Sequence, residues 1–590
     1  MKNLFIYLVV FLAACGQQRP SLNCNTYSEA EDPLPDSLSS WDQVPYGLHA
    51  SIGSIDTRYP KSSFPEITSQ TTWQGSGWRG ERVSIQMILW SREKVPRIEI
   101  EFSEFKSEDG KSLPDSIARA RFVRYVLTDE FADGCGKRNP EDYAVSLSAD
   151  VLDNIACFDI DPNTARPVWL SIDIPVDAVP GTYSSTMQVF ANGKVRSVFT
   201  FSIEVLTRTL PPPSEWEFHL DLWQNPYAVA RVLGVEPWTD AHWKALDPLM
   251  KMLANAGQKV ITTTLNKRPW GGQTQDPFDG MIRWIRKGDN EWEYDYTIFD
   301  NWVQFMMDIG INSQINCYSM VPTGNELYYF DEHEGHEVKI KADPGTKEYS
   351  NLWGPFLHDF LTHLEMKGWL DFTCIAMDER RPEEMQAMLK LIAEAAPGLG
   401  VALADNHKSY ALYPDQLKDL CVSQSTVIES KDLQYRRSMG YISTWYVSCA
   451  DEFPNVFTFS PPAEGAFIGW FSMAVGFDGF LRWAYNSWVS EPLLDSRFRT
   501  WPAGDTYIVY PDARSSIRFE RLREGIQDYE KIRILREEFE KDSSSQSKKN
   551  LVSLNETVAL FNFREDPGYN NLLTLLEKGK KELERLSKEE

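Results

Sequence analysis

Two patterns of hydrophobic and polar positions divide the chain. Across residues 41–210, short runs alternate between apolar and polar positions, and turn residues separate them. Alternation of this kind predicts antiparallel strands with one face in a core, and many such strands predict a β-sandwich domain. The clearest predicted strands span residues 82–90, 167–175, 181–190 and 197–205.

The pattern changes after Pro211-Pro212-Pro213, which predicts a stiff linker. Over residues 214–540, apolar runs alternate about eight times with runs of helical spacing. The predicted strands are 218–223, 259–265, 311–318, 372–377, 401–404, 422–427, 443–448 and 479–485. The predicted helices are 239–256, 297–309, 348–367, 383–396, 413–420, 431–439, 464–475 and 516–540. This succession predicts a (β/α)8 TIM barrel, so the fold class is a β-sandwich followed by a barrel with C-terminal helices.

The N-terminal residues 1–15 have the pattern of an export signal. Lys2 precedes an apolar run at residues 4–14, which is too short to span a bilayer. The run ends in Leu12-Ala13-Ala14-Cys15-Gly16, which resembles the lipobox of bacterial lipoproteins. That resemblance implies that Cys15 carries a lipid and anchors the exported protein to a bacterial membrane, in the periplasm or at the cell surface. A plain secretory signal that happens to contain Cys15 is the alternative.

Two polar segments flank the predicted domains. Residues 16–40 are rich in Ser, Pro, Asp and Glu, which predicts a tether between the lipid and the fold. Residues 541–590 are charged with helical spacing and predict a helical extension, with a loop near residues 542–549. The extension either packs on the barrel or mediates oligomerisation, and the sequence does not fix the oligomeric state.

Composition narrows the functional class. The 590 residues carry a net charge of −25, which argues against a nucleic-acid partner because phosphate binding needs a basic surface. Apart from Cys15, seven cysteines remain and none forms a Cys-x-x-Cys pair, so a zinc ribbon or redox dithiol is not predicted. Cys135 and Cys157 could pair in an exported protein. Four others are predicted to be small buried residues of the barrel: Cys317, Cys374, Cys421 and Cys449.

The strongest candidate for chemistry is the pair Asp378-Glu379. It follows an apolar run typical of a buried parallel strand, and Pro382 then begins a run of helical spacing. Both carboxylates should therefore lie at the carboxyl end of a barrel strand, where such folds place their chemistry. Two adjacent acids at this position indicate general acid catalysis with a charged partner. A solvated surface turn is the ordinary interpretation of the other Asp-Glu pairs, 129–130, 331–332 and 451–452.

Other strand ends carry aromatic and polar residues suited to a sugar, because rings stack on apolar sugar faces while polar groups bind hydroxyls. For any one of these residues, core packing is at least as good an interpretation as ligand contact. The candidate substrate-binding residues are Asp221, Trp223, Asn316, Tyr318, Trp445, Tyr446, Trp483 and Tyr485. The sequence has no phosphate loop, no His-Glu-x-x-His and no Gly-x-Ser-x-Gly, so we expect no metal and no cofactor.

These features together resemble family 123 of the glycoside hydrolases, the β-N-acetylgalactosaminidases. The resemblance rests on Met377-Asp378-Glu379-Arg380 after the fourth strand and on three later segments, residues 476–485, 504–511 and 516–530. It implies an exo-acting, retaining enzyme that releases terminal β-GalNAc from glycans or glycosphingolipids. In the implied mechanism the substrate's 2-acetamido oxygen attacks the anomeric carbon and gives an oxazolinium intermediate. Asp378 would orient the acetamido group, and Glu379 would act as acid and then as base.

The resemblance also implies that a tyrosine, Tyr446 or Tyr485 by position, binds the acetamido group. Two alternatives remain open from the residues. One is a related barrel hydrolase with another hexosamine specificity, since the sequence does not fix galacto against gluco configuration. The other is a non-catalytic glycan-binding lipoprotein, although a pure binder would not need adjacent acids at a strand end.

Overall fold

The structure is a computed structural model, which describes residues 24, 27–36, 39–129, 135, 144–289, 291–499 and 501–588. The first twelve strands form a sandwich of two sheets, in the orders β1-β3-β10-β7-β8 and β2-β12-β11-β4-β9, with β5 and β6 added to the second sheet. They are β1 His49–Gly53, β2 Thr72–Arg79, β3 Arg82–Ser91, β4 Val95–Phe102, β5 Phe105–Ser107, β6 Ser112–Leu113, β7 Ala118–Asp129, β8 Val145–Leu152, β9 Phe158–Ile160, β10 Thr164–Asp173, β11 Gly181–Ala191 and β12 Lys194–Thr209.

Eight parallel strands form the barrel, in the order β13-β24-β23-β22-β21-β20-β17-β14. A small mixed sheet of β15, β16, β18 and β19 is inserted after β14 and β17; its central pair, β15 and β18, is parallel and its outer pairs are antiparallel. The strands are β13 His219–Leu222, β14 Val260–Thr264, β15 Arg283–Gly288, β16 Glu291–Asp295, β17 Gln314–Tyr318, β18 Glu326–Asp331, β19 His336–Lys341, β20 Thr373–Asp378, β21 Gly400–Asp405, β22 Asp419–Ser423, β23 Ile442–Tyr446 and β24 Gly479–Arg482.

The barrel closes between its first two strands with the help of a side chain. The amide N–H of Lys259 donates to the Leu220 carbonyl at 2.9 Å, which is the main-chain link between β13 and β14. Gln258 supplies further bonds, because its side chain accepts from the Leu222 N–H at 3.0 Å and donates to the Val260 carbonyl at 2.7 Å. The Gln258 amide thus replaces part of a strand ladder at the closing seam.

Helices cover the barrel and extend beyond it: α1 Pro226–Leu233, α2 Asp240–Ala254, α3 Thr297–Asp308, α4 Lys347–Lys367, α5 Pro382–Ala395, α6 Ser430–Ser438, α7 Pro462–Val475, α8 Ile517–Lys541, α9 Ser545–Ala559 and α10 Tyr569–Lys588. The last helix buries Leu572, Leu576, Leu583 and Leu586 against the rest of the fold. In the described part of the chain, no helix has the length and apolar character needed to cross a bilayer.

The predicted fold class is confirmed, and each of the eight predicted barrel strands overlaps an observed one. The helix predicted at residues 413–420 is wrong. Pro414 and the polar residues after it form turns, and the chain enters β22 at Asp419. The loop predicted near residues 542–549 is shorter than expected, because Ser544 caps α9 and the helix begins at Ser545.

Disulfide bonds correct the cysteine predictions. Cys157 pairs with Cys24 and not with Cys135, and Cys135 pairs with Cys449. Cys449 is therefore not a free core residue, whereas the predicted burial of Cys317, Cys374 and Cys421 as free thiols is confirmed.

Part of the predicted tether lies against the sandwich. Besides the Cys24 disulfide, the buried Glu29 carboxylate pairs with Arg166 at 2.6 Å and Lys61 at 2.8 Å. The pKa of Glu29 falls to about 2, because these two charges outweigh the effect of burial. The predicted tether is thus fixed to the fold at Cys24 and at Glu29. Cys15 lies outside the described residues.

Charged residues of α8 join the two domains. Arg518, which is 1% exposed, donates to the fully buried carboxylate of Asp150 on β8 at 2.9 Å. The Nη1 of the same guanidinium donates to the carbonyls of Val456, Gly504 and Tyr507, at 2.7–3.0 Å. All three carbonyls belong to the loops that follow β23 and β24, so one guanidinium holds the sandwich and these loops together.

Candidate active site

The carboxylate pair lies where the strand pattern predicts it. Asp378 is the last residue of β20, and Glu379 follows before Pro382 begins α5. Glu379 has φ +37°, outside the regions that side chains favour, and its N–H donates to the Ala404 carbonyl at 2.7 Å. This link to β21 stabilises the unfavourable conformation, and strained backbone of this kind concentrates at functional sites.

The two carboxylates have different surroundings. Asp378 is partly buried, and its Oδ1 lies 2.9 Å from the Arg380 guanidinium. Burial raises the pKa of Asp378, while the Arg380 charge opposes that rise and the neighbouring Glu379 adds to it. Arg380 is itself fixed, because its Nε donates to the Val321 carbonyl at 2.8 Å. Glu379 is exposed and accepts a hydrogen bond from the hydroxyl group of Tyr446.

Both carboxylates line a pocket of about 360 Å³ at the carboxyl ends of the strands, a volume typical of small-ligand sites. Aromatic rings form much of its wall: Trp223, Tyr446, Trp483 and Trp501. Trp223 stacks on Trp270, with ring centroids 4.8 Å apart, and this stack fixes its position. The indole of Trp483 donates to Asp505 at 3.2 Å, so its ring is oriented by a buried carboxylate. Acids and aromatic rings in one pocket fit the recognition of a sugar.

Comparison with known proteins identifies the family. The family model of the glycoside hydrolase 123 catalytic domain matches residues 223–535, and that of the N-terminal domain matches residues 52–191. The chain belongs to glycoside hydrolase family 123. It is similar to a solved family 123 glycoside hydrolase from Clostridium perfringens, described in connection with glycolipid glycan hydrolysis. The two are 28% identical, with a TM-score of 0.82 over 91% of this chain and 97% of the other.

Two further comparisons add nothing to this assignment. A GH5 xyloglucanase from Bacteroides ovatus, solved with a XXXG heptasaccharide, covers 81% of this chain and 100% of its own. Its identity of 8% and TM-score of 0.27 are too low to support an argument. No curated protein matches the chain. Membership of family 123 makes the protein a glycoside hydrolase that acts on a carbohydrate or glycolipid substrate.

The hydrolase brings together five of the ten residues predicted to be catalytic or to bind substrate. Asp378, Glu379, Trp223, Tyr446 and Trp483 all line the pocket. They lie at or just beyond the ends of four strands, β13, β20, β23 and β24. Parallel strands bring such residues together because their carboxyl ends meet at one face of the barrel.

Two predicted residues point away from the pocket. Trp445 lies on the outer face of β23, where its indole donates to Ser472 of α7 at 2.8 Å. Successive side chains of a strand face opposite sides, so Tyr446 faces the pocket and Trp445 cannot. Tyr485 follows the end of β24 at Arg482, and its buried hydroxyl donates to the Leu249 carbonyl at 2.9 Å. These positions correct the prediction that Trp445 and Tyr485 contact the substrate.

Three predicted residues support the pocket from inside the barrel. Tyr318 is buried and packs on Trp223, with centroids 4.6 Å apart. Asn316 is buried on the same strand and accepts from Gln314 at 2.9 Å. Asp221 is 1% exposed, and its pKa is raised well above the usual value, mainly because it is buried and also because the Asp419 charge lies nearby. We therefore assign these side chains to the barrel interior and not to the pocket lining.

Several pocket residues were not predicted from the sequence. Gln273 and Trp501 come from long loops, and the Trp501 indole donates to the Gln273 carbonyl at 3.0 Å. Cys135 and Cys449 also line the pocket. Loop residues follow no strand or helix period, so hydrophobic spacing gave no signal for them. Within the described residues, no group of His, Cys, Asp and Glu side chains could hold a metal ion.

Proposed function

We propose that this family 123 hydrolase is an exo-acting, retaining β-N-acetylgalactosaminidase that uses its substrate's acetamido group as the nucleophile. The observation that carries the proposal is the adjacent pair Asp378-Glu379 at the end of one strand, inside an aromatic pocket. Most retaining glycosidases use two carboxyl groups about 5–5.5 Å apart that flank the scissile bond, one of them as nucleophile. A substrate that supplies its own nucleophile removes that need, and one carboxylate is then free to position the acetamido group.

The steps assign one role to each acid. Protonated Glu379 gives its proton to the glycosidic oxygen as the bond to the anomeric carbon breaks and the leaving alcohol departs. The acetamido oxygen bonds to the anomeric carbon. Asp378 accepts a hydrogen bond from the acetamido N–H and stabilises the positive charge of the oxazolinium. Glu379 then takes a proton from water, which attacks the anomeric carbon and restores the acetamido group with overall retention. The Arg380 charge supports this role of Asp378, because it favours the ionised carboxylate.

The test compares aryl β-GalNAc and β-GlcNAc glycosides as substrates of the wild type, Asp378→Asn and Glu379→Gln. We expect GalNAc-selective release and a loss of kcat/KM of about 100-fold or more in both variants, the usual scale for positioned acid–base groups. Glu332→Gln is the matched control, since Glu332 is an exposed carboxylate that follows the end of β18 and does not line the pocket, so the change should leave activity unchanged. Selective GlcNAc release would instead support a different hexosamine specificity.

A second measurement isolates the nucleophile. Substrates whose acetamido group carries one, two or three fluorine atoms have progressively weaker carbonyl nucleophiles. The rate should fall steeply along this series, and NMR should show the β-anomer as the first product. A flat series would mean that a protein carboxylate attacks the sugar, and the substrate-assisted mechanism would be wrong.

We also propose that Cys15 carries a lipid that anchors the enzyme to a bacterial membrane. The lipobox-like residues 12–16 support this, and so do the two disulfides, which are typical of exported proteins. Labelling of cells with a radioactive fatty acid should mark the wild type and not Cys15→Ala. Equal labelling of both, or of neither, would contradict the anchor.

A further inference from the structure

A disulfide joins the sandwich to the wall of the active-site pocket. Cys135 lies between β7 and β8 in the sequence, and Cys449 lies three residues beyond the end of β23 at Tyr446. The bond connects positions 314 residues apart, and both cysteines line the pocket. The N-terminal domain therefore contributes to the boundary of the catalytic site.

The β7–β8 pair is also hydrogen-bonded to a barrel loop that reaches the pocket. Leu127 of β7 accepts from the Ser496 N–H and donates its own N–H to the Leu494 carbonyl, both at 2.9 Å. Two residues on, the Asp129 carboxylate accepts from the Ala503 N–H at 3.0 Å. These bonds lie on either side of Trp501, whose ring lines the pocket. The sandwich thus fixes two parts of the pocket wall, one by a covalent bond and one by hydrogen bonds.

The disulfide lies on the side of the pocket where Glu379 is held. Tyr446, which donates to Glu379, is three residues from Cys449. Between them, Ser448 lines the pocket, and its N–H donates to the Asp451 carboxylate at 2.7 Å. The segment that carries Cys449 is consequently ordered at both of its ends. A group that leaves the sugar on the Glu379 side must pass or contact this segment.

We propose that the Cys135–Cys449 disulfide fixes the part of the pocket that contacts the leaving group, and so determines how well extended glycans are bound. The inference rests on the proposed function in one respect, the role of Glu379 as the acid. With the disulfide in place the pocket wall is preorganised. An extended leaving group then binds without the cost of ordering the wall. Without the bond, the terminal sugar still meets Trp223 and the acid pair, but the wall beyond Glu379 loses its covalent support.

The experiment uses two substrates with the same terminal sugar, an aryl β-GalNAc glycoside and an oligosaccharide that ends in β-GalNAc. For Cys135→Ser/Cys449→Ser we expect the KM for the oligosaccharide to rise about five-fold or more, as for a binding wall that must be ordered. The KM for the aryl glycoside should rise by a smaller factor, so that the ratio of kcat/KM between the two substrates changes. The matched control is Cys24→Ser/Cys157→Ser, which removes a disulfide whose cysteines do not line the pocket and should keep the wild-type ratio of kcat/KM between the two substrates.

The control variant also permits a reversible version of the test. Its remaining disulfide is Cys135–Cys449, while Cys317, Cys374 and Cys421 are buried free thiols. Reduction with dithiothreitol should raise the oligosaccharide KM, and reoxidation should restore it. If a serine variant does not fold, alkylation and mass spectrometry during reduction of the wild type will follow the two disulfides separately. The substrate ratio must then change with Cys135–Cys449 alone.

Two results would overturn the inference. One is a parallel change for both substrates, which would indicate general loss of structure. The other is an unchanged ratio after the bond is broken. If the wild type releases another hexosamine, the proposed specificity fails, and the same substrate pair built on that sugar still decides the role of the disulfide.

Discussion

The hydroxyl group of Tyr446 offers a direct test of how the acid pair is arranged. Tyr446→Phe removes the donor to Glu379 and keeps the ring that packs in the pocket wall. A hydrogen bond to a charged group contributes about 1.5–3 kcal/mol, and because Glu379 is exposed we expect the lower end. A loss of about 1.5 kcal/mol in the transition state corresponds to a roughly 10-fold fall in kcat/KM.

Steady-state kinetics with an aryl glycoside would measure this effect. The adjacent Trp445→Phe is the matched control, because that side chain lies on the opposite face of β23 and packs on Phe471 and Phe480. It should lower the unfolding temperature and leave kcat/KM within about two-fold. If Tyr446→Phe retains wild-type activity, or if both variants lose activity equally, the hydrogen bond does not position Glu379 and the reasoning is refuted.

Two further predictions concern charge. Arg380→Met removes the cation that opposes the effect of burial on Asp378, so the pKa of Asp378 should rise further. The acid limb of the pH profile of kcat/KM should then move to higher pH. An acid limb that does not move would mean that Asp378 need not be ionised. Arg518→Met removes one charged partner of the buried Asp150, which keeps Arg58 at 3.3 Å and the Tyr510 hydroxyl at 2.6 Å, and should cost about 3 kcal/mol of unfolding free energy by chemical denaturation. A loss below about 1 kcal/mol would contradict this, and Lys541→Met at the exposed end of α8 should have no measurable effect.

The barrel was predictable because its strands are short apolar runs, bounded by turns and separated by helices of regular spacing. The strand before Asp378 is buried along its whole length, so the position of the acid pair followed from the sequence. The helix predicted at residues 413–420 is absent, because eight residues make only about two helical turns and Pro414 disfavours a helix there. The spacing of apolar residues predicts a helix or a strand when the run is long, and it does not distinguish the two when the run is short.

The remainder of the site depends on contacts that local sequence does not contain. Both Trp445 and Tyr446 are aromatic, and which of them faces the pocket depends on the register of β23 within the closed barrel. The pairing of Cys135 with Cys449 depends on how the sandwich docks on the barrel, 314 residues away in the sequence. Trp501 reaches the pocket through a loop that another domain holds. Such features arise from tertiary structure and have no periodic signal.

The buried charges between the sandwich and α8 limit how far the two domains can be treated as modules. Separated from α8, the sandwich would keep the Asp150 carboxylate with Arg58 but without Arg518, and the barrel would keep the Arg518 guanidinium without Asp150. Exchange of either domain between relatives would therefore require both members of the pair to be carried over together. In a newly made chain, the loop at residues 494–503 lacks its hydrogen bonds to Leu127 and Asp129 until the sandwich has docked on the barrel.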